Sequence, residues 1–210
     1  MVAWPAASSP FPGYIMSTDC PFKLAVLISG EGSNLQAIID AIAADSLDAQ
    51  IEIVVSDQEK ANGLNRARMA GIDVAVVKAV KGQTREEYDL RLLETLAPRK
   101  PDLIVLAGFM RILSAAFVQR LAGKIINIHP SLLPAYKGLN THQRVIAAGE
   151  RYHGATVHFV TEELDAGEPI IQSRIEIDDD DDAASLQQRI HAEEHVIYPR
   201  AIQWLIDRQG

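Results

Sequence analysis

The chain has 210 residues, of which 48% are hydrophobic and 23% charged, and its formal net charge is −8. This size suits one globular domain with a substantial core, and the acidic balance argues against nucleic acid and anionic membranes as partners. The single cysteine, Cys20, excludes an intramolecular disulfide and a multi-cysteine metal cluster, and it fits a reducing, cytoplasmic compartment.

Residues 1–21 are rich in Pro, Ser and Ala and contain no Lys or Arg, which is unlike a secretory or a mitochondrial targeting segment. We therefore expect a flexible N-terminal extension at 1–21 ahead of a single domain at 22–210. No apolar run in the sequence approaches the roughly 18 residues of a membrane helix.

Within that domain, apolar runs alternate with helical patterns. The apolar runs predict strands at 24–28, 51–55, 74–77, 103–106 and 124–128. Apolar residues at helical spacing predict helices over 35–42, 64–70, 84–96 and 114–121, and Thr84 with Glu87 forms a capping box for the third. This alternation is typical of a mostly parallel central sheet with helices on both faces, a Rossmann-like α/β fold.

The last third of the chain has a different pattern. Strands predicted at 155–160 and 169–177 follow each other with no helix between them, which indicates an antiparallel or mixed edge. A long closing helix is predicted over 185–208, with Ser185 and Gln188 as its capping box. The five aspartates at 178–182 lack the spaced ligands and the glycine of a calcium loop, so we interpret them as a solvated loop ahead of that helix.

A glycine-rich turn at 29–34 joins the first strand to the first helix. Glycines allow a tight turn and a close approach to a ligand, so the amides of Gly32, Ser33 and Asn34 could bind a phosphate at the helix N-terminus without a lysine. The turn is neither a Walker A motif nor the full dinucleotide fingerprint. The alternative is a tight turn in which Ser33 or Asn34 is an ordinary helix cap.

A second polar group stands at the carboxyl end of the predicted strand 124–128, the edge where ligands gather in open α/β sheets. Asn127 and His129 are two residues apart, so their side chains share one face, and together they could stabilise a developing oxyanion. Asp165 follows a later strand, and a carboxylate near His129 would favour the protonated imidazole. The alternatives are a polar strand end with a hydrogen-bonded histidine and a simple Asp-x-Gly turn.

Metal binding is not expected. His158 lies on a strand face with Thr156, where it is either buried and hydrogen-bonded or lines the same cleft. The four central histidines show no ligand spacing, and soft cysteine ligands are absent; these histidines are His129, His142, His153 and His158.

Five segments together resemble one family, the folate-dependent glycinamide ribonucleotide formyltransferases of purine synthesis. The segments are VLISGEGSNLQ at 26–36, LAGFMRILS at 106–114, NIHPSLLP at 127–134, GATVHFVTEELDAG at 154–167 and EHVIYP at 194–199. The resemblance runs from residue 23 to the C-terminus and implies the Rossmann-like formyltransferase fold.

The resemblance also implies a reaction, in which the formyl group of 10-formyltetrahydrofolate moves to the amine of 5-phosphoribosylglycinamide. By this similarity Asn127, His129 and Asp165 are the catalytic residues. The ribonucleotide would be bound by Gly32, Ser33, Asn34, Gly138 and Glu194. The folate would be bound by Arg85, Met110, Arg111, Ile112, Leu113 and Asn127. No metal or nucleotide cofactor is implied, the partners are small molecules, and the protein is expected to be a monomer or a homodimer.

Two positions depart from the family pattern. Glu31 stands in the phosphate loop where relatives usually carry Asn, and we expect its carboxylate to point to solvent because an inward carboxylate would repel the phosphate. Asn140 replaces a residue that is often His or Ala.

Three other functions compete with formyl transfer to the glycinamide ribonucleotide. A formyltetrahydrofolate hydrolase shares the Asn, His and Asp set but carries an N-terminal regulatory domain. A methionyl-tRNA formyltransferase needs a C-terminal RNA-binding domain and a different charge. A non-enzymatic phosphosugar-binding module would leave the pair of Asn127 and His129 unexplained.

Overall fold

The computed structural model describes residues 21–208. The expected extension at 1–21 lies outside the described residues except for Pro21. The strands are β1 Phe22–Ile28, β2 Ala49–Ser56, β3 Val74–Val76, β4 Leu103–Leu106, β5 Ile125–His129, β6 Tyr152–Phe159 and β7 Pro169–Glu176. The helices are α1 Ser33–Ala43, α2 Asn62–Met69, α3 Arg85–Leu96, α4 Ala115–Arg120, α5 Thr141–Ala147 and α6 Ala183–Asp207, with a 3-10 turn at Ala97–Arg99.

The strands form one seven-stranded sheet in the order β3-β2-β1-β4-β5-β6-β7. The first five strands are parallel to one another, whereas β6 and β7 pair antiparallel. The mostly parallel α/β fold with a mixed C-terminal edge is thus confirmed. The chain moves outward from β1 to β2 and β3, then crosses back to β4 on the other side of β1. This reversal is a topological switch point, the place where open α/β sheets bind ligands.

Strand β1 is apolar along its whole length because both of its faces are covered. Leu24, Val26 and Ile28 belong to a core that also contains apolar side chains of α1 and α6. The alternate residues Ala25 and Leu27 belong to a second core with side chains of α3 and α4. The continuous apolar runs in the sequence therefore report a sheet between two layers of helices.

The start of the closing helix differs from the sequence prediction. Its capping box is formed by Asp182 and Ser185, not by Ser185 and Gln188, because the Asp182 carboxylate accepts from the amides of Ala184 and Ser185. The aspartate run is mostly exposed, as expected of a solvated loop, although Arg189 pairs with two of its carboxylates and the Asp181 side chain is only 5% exposed.

Two further points concern the helices. The capping box of Thr84 and Glu87 is confirmed at the start of α3, whereas α5 was not predicted. No helix within residues 21–208 is both long and apolar enough to cross a membrane.

Candidate active site

The loops that follow β1 and β4 are tied together at the carboxyl edge of the sheet. The Ser29 amide donates to the Gly108 carbonyl at 3.1 Å, and the Ser29 hydroxyl accepts from the Met110 amide at 2.8 Å. Since β5 is the next strand after β4, the polar residues at its end stand at the same edge. The glycine-rich turn, the segment at 110–113 and the pair of Asn127 and His129 are therefore neighbours across three adjacent strand ends.

The glycine-rich turn is pressed against the first turn of α2. Gly32 caps α1 with φ +73°, in the left-handed region that favours glycine. A Cβ at Gly32 would lie 2.5 Å from Gly63 Cα, and the Gly63 amide donates to the Gly30 carbonyl at 3.1 Å. Gly32 supplies no side-chain cap to α1, so the amides of Ser33 and Asn34 can donate to an anion.

The side chain of Asn34 is held beneath this turn rather than exposed on it. Its Nδ2 donates to Glu194 Oε2 at 2.8 Å, and both residues are buried. Burial raises the pKa of Glu194, while the hydrogen bond from Asn34 and the nearby His191 and His129 act in the opposite direction. The structure thus brings Glu194 to the turn through the side chain of Asn34.

His129 lies between two hydrogen-bond acceptors. Its Nε2 is 3.0 Å from the Tyr136 carbonyl, and because a carbonyl only accepts, this nitrogen must carry a hydrogen. Its Nδ1 is 3.4 Å from Asp165 Oδ2. Both side chains are less than a tenth exposed. The imidazole is therefore fixed in orientation by a backbone carbonyl on one side and a carboxylate on the other.

The chain folds so that Asp165 reaches His129 from a separate loop. Asp165 has φ +48°, and its Oδ2 also accepts from the Gly138 amide at 2.9 Å. Gly138 was expected near the ribonucleotide, and here its amide anchors the carboxylate that faces His129. The sequence spacing gave no indication that these three residues meet.

Asn127 is oriented by His158 on the adjacent strand. His158 Nδ1 donates to the Phe159 carbonyl at 2.8 Å, so its Nε2 is the acceptor in the neutral ring. Asn127 Nδ2 lies 3.3 Å from this Nε2. Burial lowers the pKa of His158, which keeps the ring neutral and the acceptor available. The first alternative given for His158 therefore applies, since the side chain is buried and hydrogen-bonded.

The expected folate segment combines exposed apolar side chains with a stacked arginine. Met110 and Ile112 are 71% and 54% exposed, whereas Leu113 is buried in the core below them. The Arg111 guanidinium carbon lies 4.0 Å from the centre of the Tyr88 ring, an arrangement typical of a cation–π contact. Arg85 is exposed at the start of α3, one helical turn before Tyr88, which places it on the same side of that helix.

The sequence does not predict the contact between His129 and the Tyr136 carbonyl, because every residue type carries a backbone carbonyl. It also does not predict that His142 and His153 contact each other, with Nδ1 of the first 3.1 Å from Nε2 of the second. Burial and the neighbouring His142 lower the pKa of His153 to about 4. Within residues 21–208 there is no group of three or more His, Cys, Asp or Glu side chains that could hold a metal ion.

Comparisons with known proteins show the family of this chain. A model of the formyl transferase family matches residues 22–202. Phosphoribosylglycinamide formyltransferase of Escherichia coli is 47% identical over 185 residues, which cover 88% of this chain and 87% of that protein. The human trifunctional purine biosynthetic protein adenosine-3 is 45% identical over 181 residues, 86% of this chain and 18% of that protein.

A solved structure is similar over the same region. The phosphoribosylglycinamide formyltransferase of Coxiella burnetii is 48% identical and superposes with a TM-score of 0.84, covering 88% of this chain and 87% of that one. The chain is therefore an enzyme that belongs to the formyl transferase family, in the branch of the phosphoribosylglycinamide formyltransferases.

Proposed function

We propose that this enzyme transfers the formyl group of 10-formyltetrahydrofolate to the amine of 5-phosphoribosylglycinamide, a step of purine synthesis. The products are formylglycinamide ribonucleotide and tetrahydrofolate. The observation that carries this proposal is the meeting of three features at one sheet edge. These are an uncapped helix start behind a glycine turn, an oriented amide and imidazole backed by a carboxylate, and exposed apolar side chains beside an arginine.

The phosphate of the ribonucleotide binds at the glycine turn in this proposal. The amides of Gly32, Ser33 and Asn34 donate to its oxygens, and the positive end of the α1 dipole favours its charge. Gly138 and Glu194 contribute through other residues of the site in this proposal, because the Gly138 amide holds Asp165 and Glu194 holds the side chain of Asn34 below the turn.

The amine nitrogen attacks the formyl carbon directly, so no covalent enzyme intermediate forms. The new N–C bond produces a tetrahedral oxyanion, to which Asn127 Nδ2 and a His129 N–H donate; one such donor is typically worth about 10²–10³ in rate. The C–N10 bond then breaks. The proton that the amine loses passes to N10 of the leaving folate, with Asp165 as a relay through water. Holding the amine close to the formyl carbon supplies much of the remaining acceleration.

The folate occupies the segment at 110–113 in this proposal. Met110 and Ile112 cover the pterin with apolar surface, while Leu113 supports them from the core. Arg111 and Arg85 offer positive charge to the folate carboxylates. The formyl group is already activated on the folate, so the reaction needs neither a metal nor a nucleotide cofactor.

The remaining expectations concern the cellular setting. The substrates are small anions, so the acidic surface does not prevent their binding, because a few local donors suffice. The single cysteine suits the reducing cytoplasm, where we place the enzyme. A monomer or a homodimer is expected, and sedimentation of the purified protein distinguishes the two.

The proposal is tested by following tetrahydrofolate release from 10-formyltetrahydrofolate with and without phosphoribosylglycinamide. We expect release that depends on the acceptor. Release at the same rate without the acceptor would identify a hydrolase, and no release at all with both substrates would leave only a phosphosugar-binding module.

The role of His129 is tested in the same assay. His129→Ala should lower kcat by at least about 10²-fold because an oxyanion donor is lost, while both substrates still bind. Turnover at the wild-type rate in this variant would remove His129 from the mechanism.

A further inference from the structure

The phosphate loop of this chain contains a carboxylate, and that carboxylate is paired. Glu31 stands directly before Gly32, and its side chain is 66% exposed. Arg66, on α2, lies 2.6 Å from Glu31 Oε1, and Asn62 donates to the same oxygen at 2.9 Å. The hydrogen bond from Arg66 is the largest cause that holds the pKa of Glu31 below its ordinary value. Glu31 is therefore an anion inside the proposed site for another anion.

Arg66 also holds the backbone of the loop. Its Nε donates to the Glu31 carbonyl at 2.9 Å, and its Nη1 reaches Gln36 Oε1 at 3.4 Å on the first turn of α1. One planar guanidinium thus contacts the carbonyl and the carboxylate of the same residue through separate N–H groups in a fixed fork, a geometry that the compact ammonium of lysine does not reproduce. The Glu31 carbonyl faces α2, so this contact fixes the peptide that leads into Gly32.

Other contacts also connect Arg66 to the glycine turn and its surroundings. The loop is already in backbone contact with α2 through Gly30 and Gly63, so Arg66 acts across a close interface. The charge of Arg66 also reaches α6, because burial, His191 and Arg66 together lower the pKa of His195, the neighbour of Glu194.

We propose that Arg66 is a positioning residue for the substrate phosphate, which holds the loop peptide at Glu31 and offsets the charge of the Glu31 carboxylate. The inference rests on the proposed function, since it takes the glycine turn as the phosphate site. An unpaired Glu31 beside the phosphate would repel it, whereas the paired Glu31 leaves the loop nearly neutral.

The test is a double-mutant cycle of Arg66→Met, Glu31→Gln and the two together. Arg66→Met should raise the KM for phosphoribosylglycinamide about tenfold, because Glu31 is left unpaired. The KM for 10-formyltetrahydrofolate and kcat should stay within about twofold of the wild-type values, since Arg66 contacts neither the proposed catalytic residues nor the folate segment. The double variant should return to within about threefold of wild type, and Arg66→Lys should lie between wild type and Arg66→Met.

Ionic strength separates the charge effect from a purely structural one. Salt screens exposed charges, so the defect of Arg66→Met should shrink as salt rises, whereas a misshapen loop would not recover.

The matched control is Arg68→Met on the same helix, because Arg68 bonds to Asn65 and not to the loop. All variants are first checked for the wild-type thermal midpoint. If Arg66→Met does not fold, Arg66→Lys and Glu31→Gln carry the test.

Two results would overturn the inference. In one, Arg66→Met leaves the KM for the ribonucleotide unchanged. In the other, the double variant is as impaired as Arg66→Met at every salt concentration. The dissociation constant of inorganic phosphate is measured on the same proteins, so the inference can be judged even if the wild-type enzyme shows no formyl transfer.

Discussion

Replacing Gly32 with alanine should weaken binding of the ribonucleotide phosphate. The size of the effect can be worked out from the contact that the new methyl group makes. The Cβ would lie 2.5 Å from Gly63 Cα, whereas ordinary contacts begin at 3.4 Å, so the turn and α2 must separate by about 1 Å. If the turn takes up this shift while the ribose and glycinamide contacts hold the phosphate in place, a donor at about 2.9 Å from a phosphate oxygen moves to near 3.9 Å, beyond hydrogen-bond range. Losing one hydrogen bond to a charged group costs about 1.5–3 kcal/mol, which is roughly 10–100-fold in affinity.

The assay is the KM for phosphoribosylglycinamide, with the KM for 10-formyltetrahydrofolate as an internal reference. Gly71→Ala is the matched control. Gly71 has φ +72°, almost the same as Gly32, but a Cβ there meets nothing within 4 Å. Both variants carry the same left-handed strain of about 1–2 kcal/mol, so Gly71→Ala shows what that strain alone does, without the contact with Gly63. Equal KM values for the ribonucleotide in the two variants would refute the placement of the phosphate at this turn.

Three further variants test the interior of the site and the sheet. Asp165→Asn should lower kcat by about 10²-fold with little change in either KM, because the carboxylate beside His129 is lost; steady-state kinetics decide, and an unchanged kcat contradicts the role. The folded pKa of His153, about 4, lies below its ordinary value of 6.5, so the unfolded chain binds a proton more readily than the folded protein between these pH values. The free energy of unfolding of the wild type should therefore fall as pH falls from 6.5 through 4. Urea unfolding of His153→Gln should show a smaller decrease over the same pH range. Tyr198→Phe removes the buried hydroxyl that donates to the Leu106 carbonyl at 2.9 Å and should lower the free energy of unfolding by about 1–3 kcal/mol; a change below about 0.5 kcal/mol would mean that the carbonyl finds another donor.

The fold was predictable where local chemistry decides the structure. Leu24 to Ile28 read as a strand because both faces of β1 are buried, and Thr84 begins a helix because its capping box lies within one turn. Helix α5 carries no such signal. Its cap, Asn140, is in the left-handed region and bonds no amide with its side chain, and only three of its seven residues are buried. Contacts with the rest of the fold therefore define this helix.

Local chemistry also made part of the candidate site predictable. Strand alternation places Asn127 and His129 on one face, and the glycines at 30 and 32 indicate the turn. The approach of Asp165 to His129 depends on the path of two separate loops and on the Gly138 amide, which no spacing encodes. The pairing of Glu31 with Arg66 likewise depends on how α2 packs against the turn, so the sequence could indicate only an exposed carboxylate.

The carbonyl of Tyr136 acts as a placeholder at His129. Each ring nitrogen carries at most one hydrogen, and in this structure both nitrogens already face protein acceptors. In the proposed reaction, a formyl oxygen that takes the Nε2 hydrogen must therefore displace the Tyr136 carbonyl. The exchange is one carbonyl-type acceptor for another, so the Nε2 hydrogen keeps a hydrogen-bond acceptor of the same kind when the substrate arrives.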